Sequence, residues 1–550
     1  GTTLFNDNVN IAQLTTDVPG TVQINAATVT TSGTQTYNDA LTLLNNTTLA
    51  STGSGNITFN STVDGAYDLT VNTTGNTRFD GAVTAATVTT DSFGTLSLNG
   101  GAVTTSGAQT YNDALSLTGN VVLNAPSVTT ASTIAAGSYN LTMTTDAISL
   151  GSNITGTGAL VIQPKTNSTT IAVGSSATGT LALSDTALSY INNAFSSITI
   201  GSATGTAAIG IDYAAASFTF TNPLVLRSNT GNIAAVDTLR TGSNGLTITT
   251  GGTVNLVGVI SGALSVTGSA ITLNNDITTS GSQSYTGPAT LTANLTLDST
   301  ANSSNGAVSF SSTVNSANST ARNLNVAAGS GNVIFTGAIG NTYALGAIAI
   351  DSTGATTFGS TVNAASLTTN AGGTTSLGGN VTTTGAQTYN DAVNLVGPVS
   401  ISASAATFVS SITGNANSSF MVSTTGSSSF GGTITTTGNQ IYNNDVTVAG
   451  NISMISSAGS ITFNNKVLSQ ANQGYSLTVN AANQVTIGDS VGITVTTTGS
   501  TLPITYALRD FLVTAPTIRI LAAPPTSEDI FSPYICCHFP TRYTYFVLLV

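Results

Sequence analysis

One stretch is written three times with little change: VTTSGTQTYNDALTL at Val29–Leu43, VTTSGAQTYNDALSL at Val103–Leu117 and VTTTGAQTYNDAVNL at Val381–Leu395. ITTSGSQSYTGPATL at Ile277–Leu291 and ITTTGNQIYNNDVTV at Ile434–Val448 are looser copies. The five tyrosines are Tyr37, Tyr111, Tyr285, Tyr389 and Tyr442, at intervals of 74, 174, 104 and 53 residues. An enzyme builds one active site and gains nothing from copies. Copies at unequal intervals suit a short unit of about 17–21 residues, stacked a varying number of times, as in the coils of a β-solenoid.

A second family of stretches agrees. GSGNITFNSTV (Gly53–Val63), SNGAVSFSSTV (Ser304–Val314) and SAGSITFNNKV (Ser457–Val467) each place a glycine-centred turn before an alternating run, and GSGNVIFTGAI (Gly329–Ile339) is a looser copy. In the first, Ile57, Phe59 and Ser61 point one way, and Thr58 and Asn60 the other. That period of two marks a half-buried strand. Such pieces recur about every ten residues, divided by Gly, Asn or Asp. The expected fold is all-β, a right-handed parallel β-helix. The alternative is a string of β-sandwich repeats, which predicts regular repeats of about 90–100 residues with hairpin signals. The irregular intervals do not suit it. Coils that pair only with their neighbours are inserted or lost freely.

Within Val29–Leu43, Val29 and Thr31 start a strand that ends at Ser32-Gly33. Gln35, Tyr37 and Asp39 share a face of the next. Asn38-Asp39 suits a bend, and Leu41 and Leu43 resume the alternation. The stretch reads as one coil with a distinctive corner.

Composition points the same way. Only 5% of the 550 residues are charged, against about 25% in ordinary soluble domains. Glu528 is the sole Glu, and Lys165 and Lys466 are the only lysines. A chain without these surface residues has few amphipathic helices to offer. Thr and Val favour strands, and Gly, Asn, Asp and Ser favour turns. With 40% hydrophobic residues at ordered positions, the chain is not a disordered Gly/Ser/Thr tract. The net charge of −12 and the lack of a Lys/Arg stripe exclude a nucleic-acid surface and oppose anchoring on anionic lipid. The chain begins at Gly1 without an initiator Met or a signal-like run, and reads as a mature form or a fragment of something longer.

Residues 1–500 form the expected repeat region, and 501–523 a possible last coil. From Pro524 the style changes. Residues 524–550 hold the sole Glu, the sole His (His538), both cysteines (Cys536 and Cys537) and four of the twelve prolines. This atypical tail is a cap or an unrelated, misread end. Adjacent cysteines with one histidine make a poor zinc site, and no metal or cofactor is expected. The final apolar run, Phe546–Val550, is too short to span a bilayer.

The TTSGxQTYNDA coils, the GNITFNSTV-type strands and the ten-residue cadence resemble large bacterial surface adhesins of the filamentous haemagglutinin type, over roughly Gly1 to Ala515. The resemblance implies an exported passenger that folds as a right-handed β-helix. It also implies an outer-membrane secretion partner, and attachment to host-cell or biofilm glycans and surface receptors. The conserved amino-terminal secretion domain of that family is not recognisable here.

Chemistry-bearing residues are sparse. The repeat region has no histidine to serve a nucleophile. Paired carboxylates of a polysaccharide-active β-helix enzyme could be Asp64 with Asp68, or Asp39 and Asp113 at equivalent corners. The arginines that lyase chemistry would want, Arg78, Arg227, Arg240 and Arg322, are scattered. The five tyrosines are the candidate binding residues, as exposed platforms for sugar. Alternatively, each ring packs a corner of its coil. Thr247-Ile248-Thr249 and Thr494-Val495-Thr496 raise an ice-binding solenoid, against which the uneven coil lengths speak. The expectation is a non-enzymatic, extracellular structural or adhesive segment at a bacterial surface, without nucleic acid or membrane insertion.

Overall fold

The computed structural model describes residues 1–192, 194–214, 218–489, 491, 508–521 and 535–538. The chain divides into two compact units, Gly1–Ile271 and Thr272–Val550. Each is a β-solenoid of short parallel strands, and together they make about 24 turns.

Three strands make one coil. In the first unit, Thr21–Ile24, Thr28–Thr31 and Gln35–Tyr37 lie on three successive faces, and Ala40–Leu43 returns to the first. Alternation drives this arrangement. Val22, Ile24, Val29, Tyr37, Leu41 and Leu43 point inward and are buried, while the residues between them face out. A strand of three or four residues buries only two side chains, so it is stable only between the coils above and below it. Every strand pairing among the described residues is parallel. That excludes the β-sandwich alternative, whose sheets are antiparallel.

The first face of unit one is a ladder of thirteen strands, from Thr2–Phe5 to Leu264–Thr267. At about 4.8 Å per strand it spans roughly 60 Å. In unit two the corresponding ladder runs from Gln283–Thr286 to the backbone of Ile535–His538, which pairs with Phe511–Thr514. Apart from that backbone, the tail from Pro524 lies outside the described residues. So do the side chains of Cys536, Cys537 and His538, and the Thr494–Thr496 stretch.

The repeated stretch spans three strands and the two turns between them, as in Thr28–Thr31, Gln35–Tyr37 and Ala40–Leu43. Its copies do not keep one face. Gln35–Tyr37 pairs with Ile57–Phe59 on the third face of unit one. Gln109–Tyr111 pairs with Val88–Thr90 and Val121–Thr130 on the second. In unit two, the strands carrying Tyr285, Tyr389 and Tyr442 belong to three different ladders. The stretch therefore moves in steps of a third of a coil, which is why no whole number of coils fits the intervals. The three faces are near-equivalent, and any of them accepts the cassette.

Among the described residues of unit one, the coil is broken after the strand Ala159–Gln163. The strand Ala159–Gln163 pairs directly with Ser197–Gly201, so the chain between them makes a coil of almost double length. The excess holds a strand pair, Ile171–Val173 with Leu181–Leu183, and a five-residue helix, Asp185–Ser189. In the next coil, residues 218–222 lead into the strand Leu224–Arg227.

Candidate functional site: the repeated corner and the broken coil

The repeated corner begins with an inward threonine. Thr31 Oγ1 donates to Gly33 O at 2.6 Å, and Thr105, Thr279, Thr383 and Thr436 make the same bond to the glycine two residues on. This closes the turn between two strands. Next comes a buried glutamine. Gln35 Nε2 donates to Val29 O at 3.1 Å, behind it in its own coil, and to Ala50 O at 2.8 Å, in the next coil. Gln109, Gln283 and Gln387 repeat both bonds, and Gln440 repeats the second, to Ile455 O. The tyrosine two residues on points the same way along the strand, and its hydroxyl donates to the glutamine Oε1 at 2.8–3.0 Å in all five copies. Burial pushes all five phenols well above their ordinary pKa, so each stays a neutral donor.

Tyr37, Tyr111, Tyr285, Tyr389 and Tyr442 are at most 1% exposed. The expectation that they offer platforms to sugar is corrected: a ring inside the coil has no face for a ligand. The alternation that turns Tyr37 inward is the same one that buries Val29 and Leu41. What the rings do is stack. Tyr37 lies 5.2 Å from Phe59, and Phe59 lies 4.6 Å from Phe79. Tyr285 starts a stack through Phe310 and Phe335 to Phe358. Tyr389 stacks on Phe408, and Tyr442 on Phe463. The two motif families are thus one device: QTY in one coil, and a phenylalanine strand in the coil that follows. The signal was a Phe 19 to 25 residues after the Tyr. Tyr111 is the exception, since its register partner is Thr130.

Of the carboxylate candidates, Asp39 and Asp113 stand on different coils and are not brought together. Asp64 is exposed, while Asp68 accepts from Thr87 Oγ1 at 2.8 Å. Arg78 is held by Asp80 at 2.8 Å. Asp39 and Asp113 are buried at corners of different coils, and neither carboxylate has a hydrogen-bond partner among the described residues. Asp391, at the same place in its copy, accepts from Gly373 N at 2.8 Å and from Thr375 Oγ1 at 3.2 Å. The first two copies have Val22 and Leu96 where Thr375 stands, so the hydroxyl donor is missing. Burial and then the neighbouring Asp91 charge raise the Asp113 carboxyl to about 6. These aspartates are corner residues, and the looser copies replace them with Gly287 and Asn444.

One outward row is regular. Thr28, Thr48, Thr70, Thr89, Thr110 and Thr129 are register partners on six successive coils, all half-exposed. Uneven coil lengths elsewhere do not disturb this face. The neighbouring outward row runs Thr30, Ala50, Asn72, so the threonine ladder is one residue wide. Thr247 and Thr249 face outward in the strand Leu246–Thr249.

The broken coil was not anticipated. Its sequence signal is SDTALS: Ser184 caps the helix by accepting from Ala187 N at 3.1 Å, and Asp185 sits in the first turn. Asp185 also accepts from Ser175 N and Ala214 N, both at 2.9 Å, tying the helix to the chain on either side. Between the helix end and the return segment at 218–222 lies a cleft of about 130 Å³, walled by Leu188, Ile191, Ile198 and Phe220. Phe218 packs edge-on against Phe220 at 5.1 Å and stacks on Tyr213 at 5.5 Å.

Comparison with protein-family models, with curated proteins and with solved structures finds no match to this chain.

Proposed function

We propose that this chain is a non-enzymatic scaffold segment of an extracellular bacterial surface protein, which gives reach and attachment to cell or biofilm surfaces. One observation carries the reading. In all five copies the glutamine and tyrosine turn their polar groups and ring inside the coil, and the glutamine laces its turn to the next. The repetition is therefore architectural, and what the chain offers a partner is a long outer surface of Thr, Ser and Asn. The resemblance to filamentous haemagglutinin-type adhesins supports the same reading. It suggests host-cell or biofilm glycans and surface receptors as partners, with an outer-membrane secretion partner for export.

The test is attachment of the full chain to glycan-coated surfaces, biofilms and epithelial cells. Saturable attachment above an inert protein of equal charge supports an adhesin. Its absence reduces the segment to a spacer. An ice-binding solenoid draws on the Thr28–Thr129 ladder and is separated by freezing-point hysteresis: a gap that closes in Thr70→Lys and Thr89→Lys would favour it over attachment.

A further inference from the structure

We propose that the cleft in the broken coil binds one neutral pyranose residue. The starting point is Asn222, which is 2% exposed. Its Nδ2 donates to Asn192 O at 3.0 Å, while its Oδ1 has no partner among the described residues. A buried acceptor left without a donor is costly, and the buried amides of Gln35, Gln283 and Gln387 all have theirs satisfied. Asn222 lines the cleft. The site calls for a hydroxyl or N–H donor.

The rest of the cleft selects what carries that donor. About 130 Å³ is well below a drug-sized pocket and close to the ~150 Å³ cavity that admits one benzene ring. Leu188, Ile191, Ile198 and Phe220 make apolar walls, and Thr219 and Thr221 stand exposed at the rim. None of the lining side chains is charged. An anion would meet a lone acceptor and no cation. A cation would find a single ligand. Water alone would satisfy Oδ1 but leave the hydrocarbon walls wet. A pyranose meets every wall: its C–H face lies on Phe220 and the aliphatic side chains, one hydroxyl donates to Asn222 Oδ1, and the others reach the rim threonines and solvent. The site exists only because the coil is interrupted. An unbroken coil has no room between its strands.

This inference rests on the cleft and not on the adhesive reading. The experiment is saturation-transfer NMR on the full chain, with methyl glucopyranoside, methyl galactopyranoside and N-acetylglucosamine as probes. Sorbitol carries the hydroxyls without the ring. Wild type should give saturable transfer from at least one pyranose and none from sorbitol. Asn222→Ala, which removes the acceptor, and Leu188→Phe, which fills the cleft, should each weaken it about tenfold or more. Amide exchange over residues 224–267 serves as the check that the coils beyond the break persist in both variants. No saturable transfer from any pyranose, equal transfer from sorbitol, or undiminished binding in both variants overturns the proposal. Pyranose binding by a chain that fails to attach to surfaces would keep this site and remove the adhesive reading.

Discussion

Removing the glutamine from one repeated corner should loosen that corner and leave the others intact. Gln387 is completely buried. Its Nε2 donates to Val381 O at 3.1 Å, Thr383 Oγ1 at 3.2 Å and Ser402 O at 2.9 Å, and its Oε1 accepts from Tyr389 at 2.8 Å. Gln387→Leu keeps the volume but strands two backbone carbonyls and the tyrosine hydroxyl. At about 1–3 kcal/mol for each buried group left unpaired, partly relieved by relaxation, the cost is roughly 2–4 kcal/mol. Tyr389→Phe strands only the Gln387 Oε1 and costs about 1–2 kcal/mol. The double variant no longer carries an orphaned phenol, so it should cost about 1 kcal/mol less than the two single costs added. Coils pair only with neighbours, so the loss is local. Amide exchange followed by mass spectrometry should quicken about 30-fold or more over residues 362–430 in Gln387→Leu. Residues 283–310, which hold the Tyr285 copy, should exchange as in wild type. Outward Thr388→Val is the control, expected within about 0.5 kcal/mol of wild type. Exchange in Gln387→Leu equal to that in Thr388→Val would refute the lacing role, and so would a loss spread evenly over both corners.

Asp113→Asn should stabilise the corner at neutral pH by about 1–3 kcal/mol, because it removes a desolvated charge that faces the Asp91 carboxylate. Asp391→Asn should not, since Gly373 N and Thr375 Oγ1 already serve that carboxylate. The pH profile follows from the raised Asp113 carboxyl. The folded state holds the proton more tightly than the unfolded chain, so stability is greatest below about pH 4 and falls as pH rises to about 6. Exchange over residues 88–117 should quicken across that window, and Asp113→Asn should flatten it. Leu96→Thr, which supplies the hydroxyl found at Thr375, should lower the Asp113 carboxyl towards the ordinary range when followed by carboxylate NMR. Phe310→Ala removes the ring between Tyr285 and Phe335 and should cost about 3–5 kcal/mol in denaturant unfolding of its coils. Gly100→Ala would drive a methyl into the Gly81 carbonyl of the coil below and should open that corner, whereas Gly397→Ala, with nothing within 4 Å, should leave exchange unchanged.

Much of the fold was legible because a solenoid is written locally. Period-two runs ending in Gly, Asn or Asp mark strands and corners wherever they fall, and residues such as Val29, Tyr37 and Leu41 show their inward face by spacing alone. The sequence by itself therefore determined the β-solenoid, the three strands within Val29–Leu43 and the scarcity of helix. It did not determine what the tyrosines do, because an aromatic ring with a polar tip suits a surface as well as a core. Only stacking decided: the hydroxyl of each tyrosine finds its glutamine, and four of the rings find a phenylalanine one coil away. The face on which each copy sits also depends on the summed lengths of the turns before it, which no local pattern records. The cleft at Asn222 is wholly tertiary. The helix end at Leu188 and Ser189, the strand residue Ile198 and the return segment at Phe220 lie more than thirty residues apart at the extremes. They meet only because the chain leaves its coil and comes back.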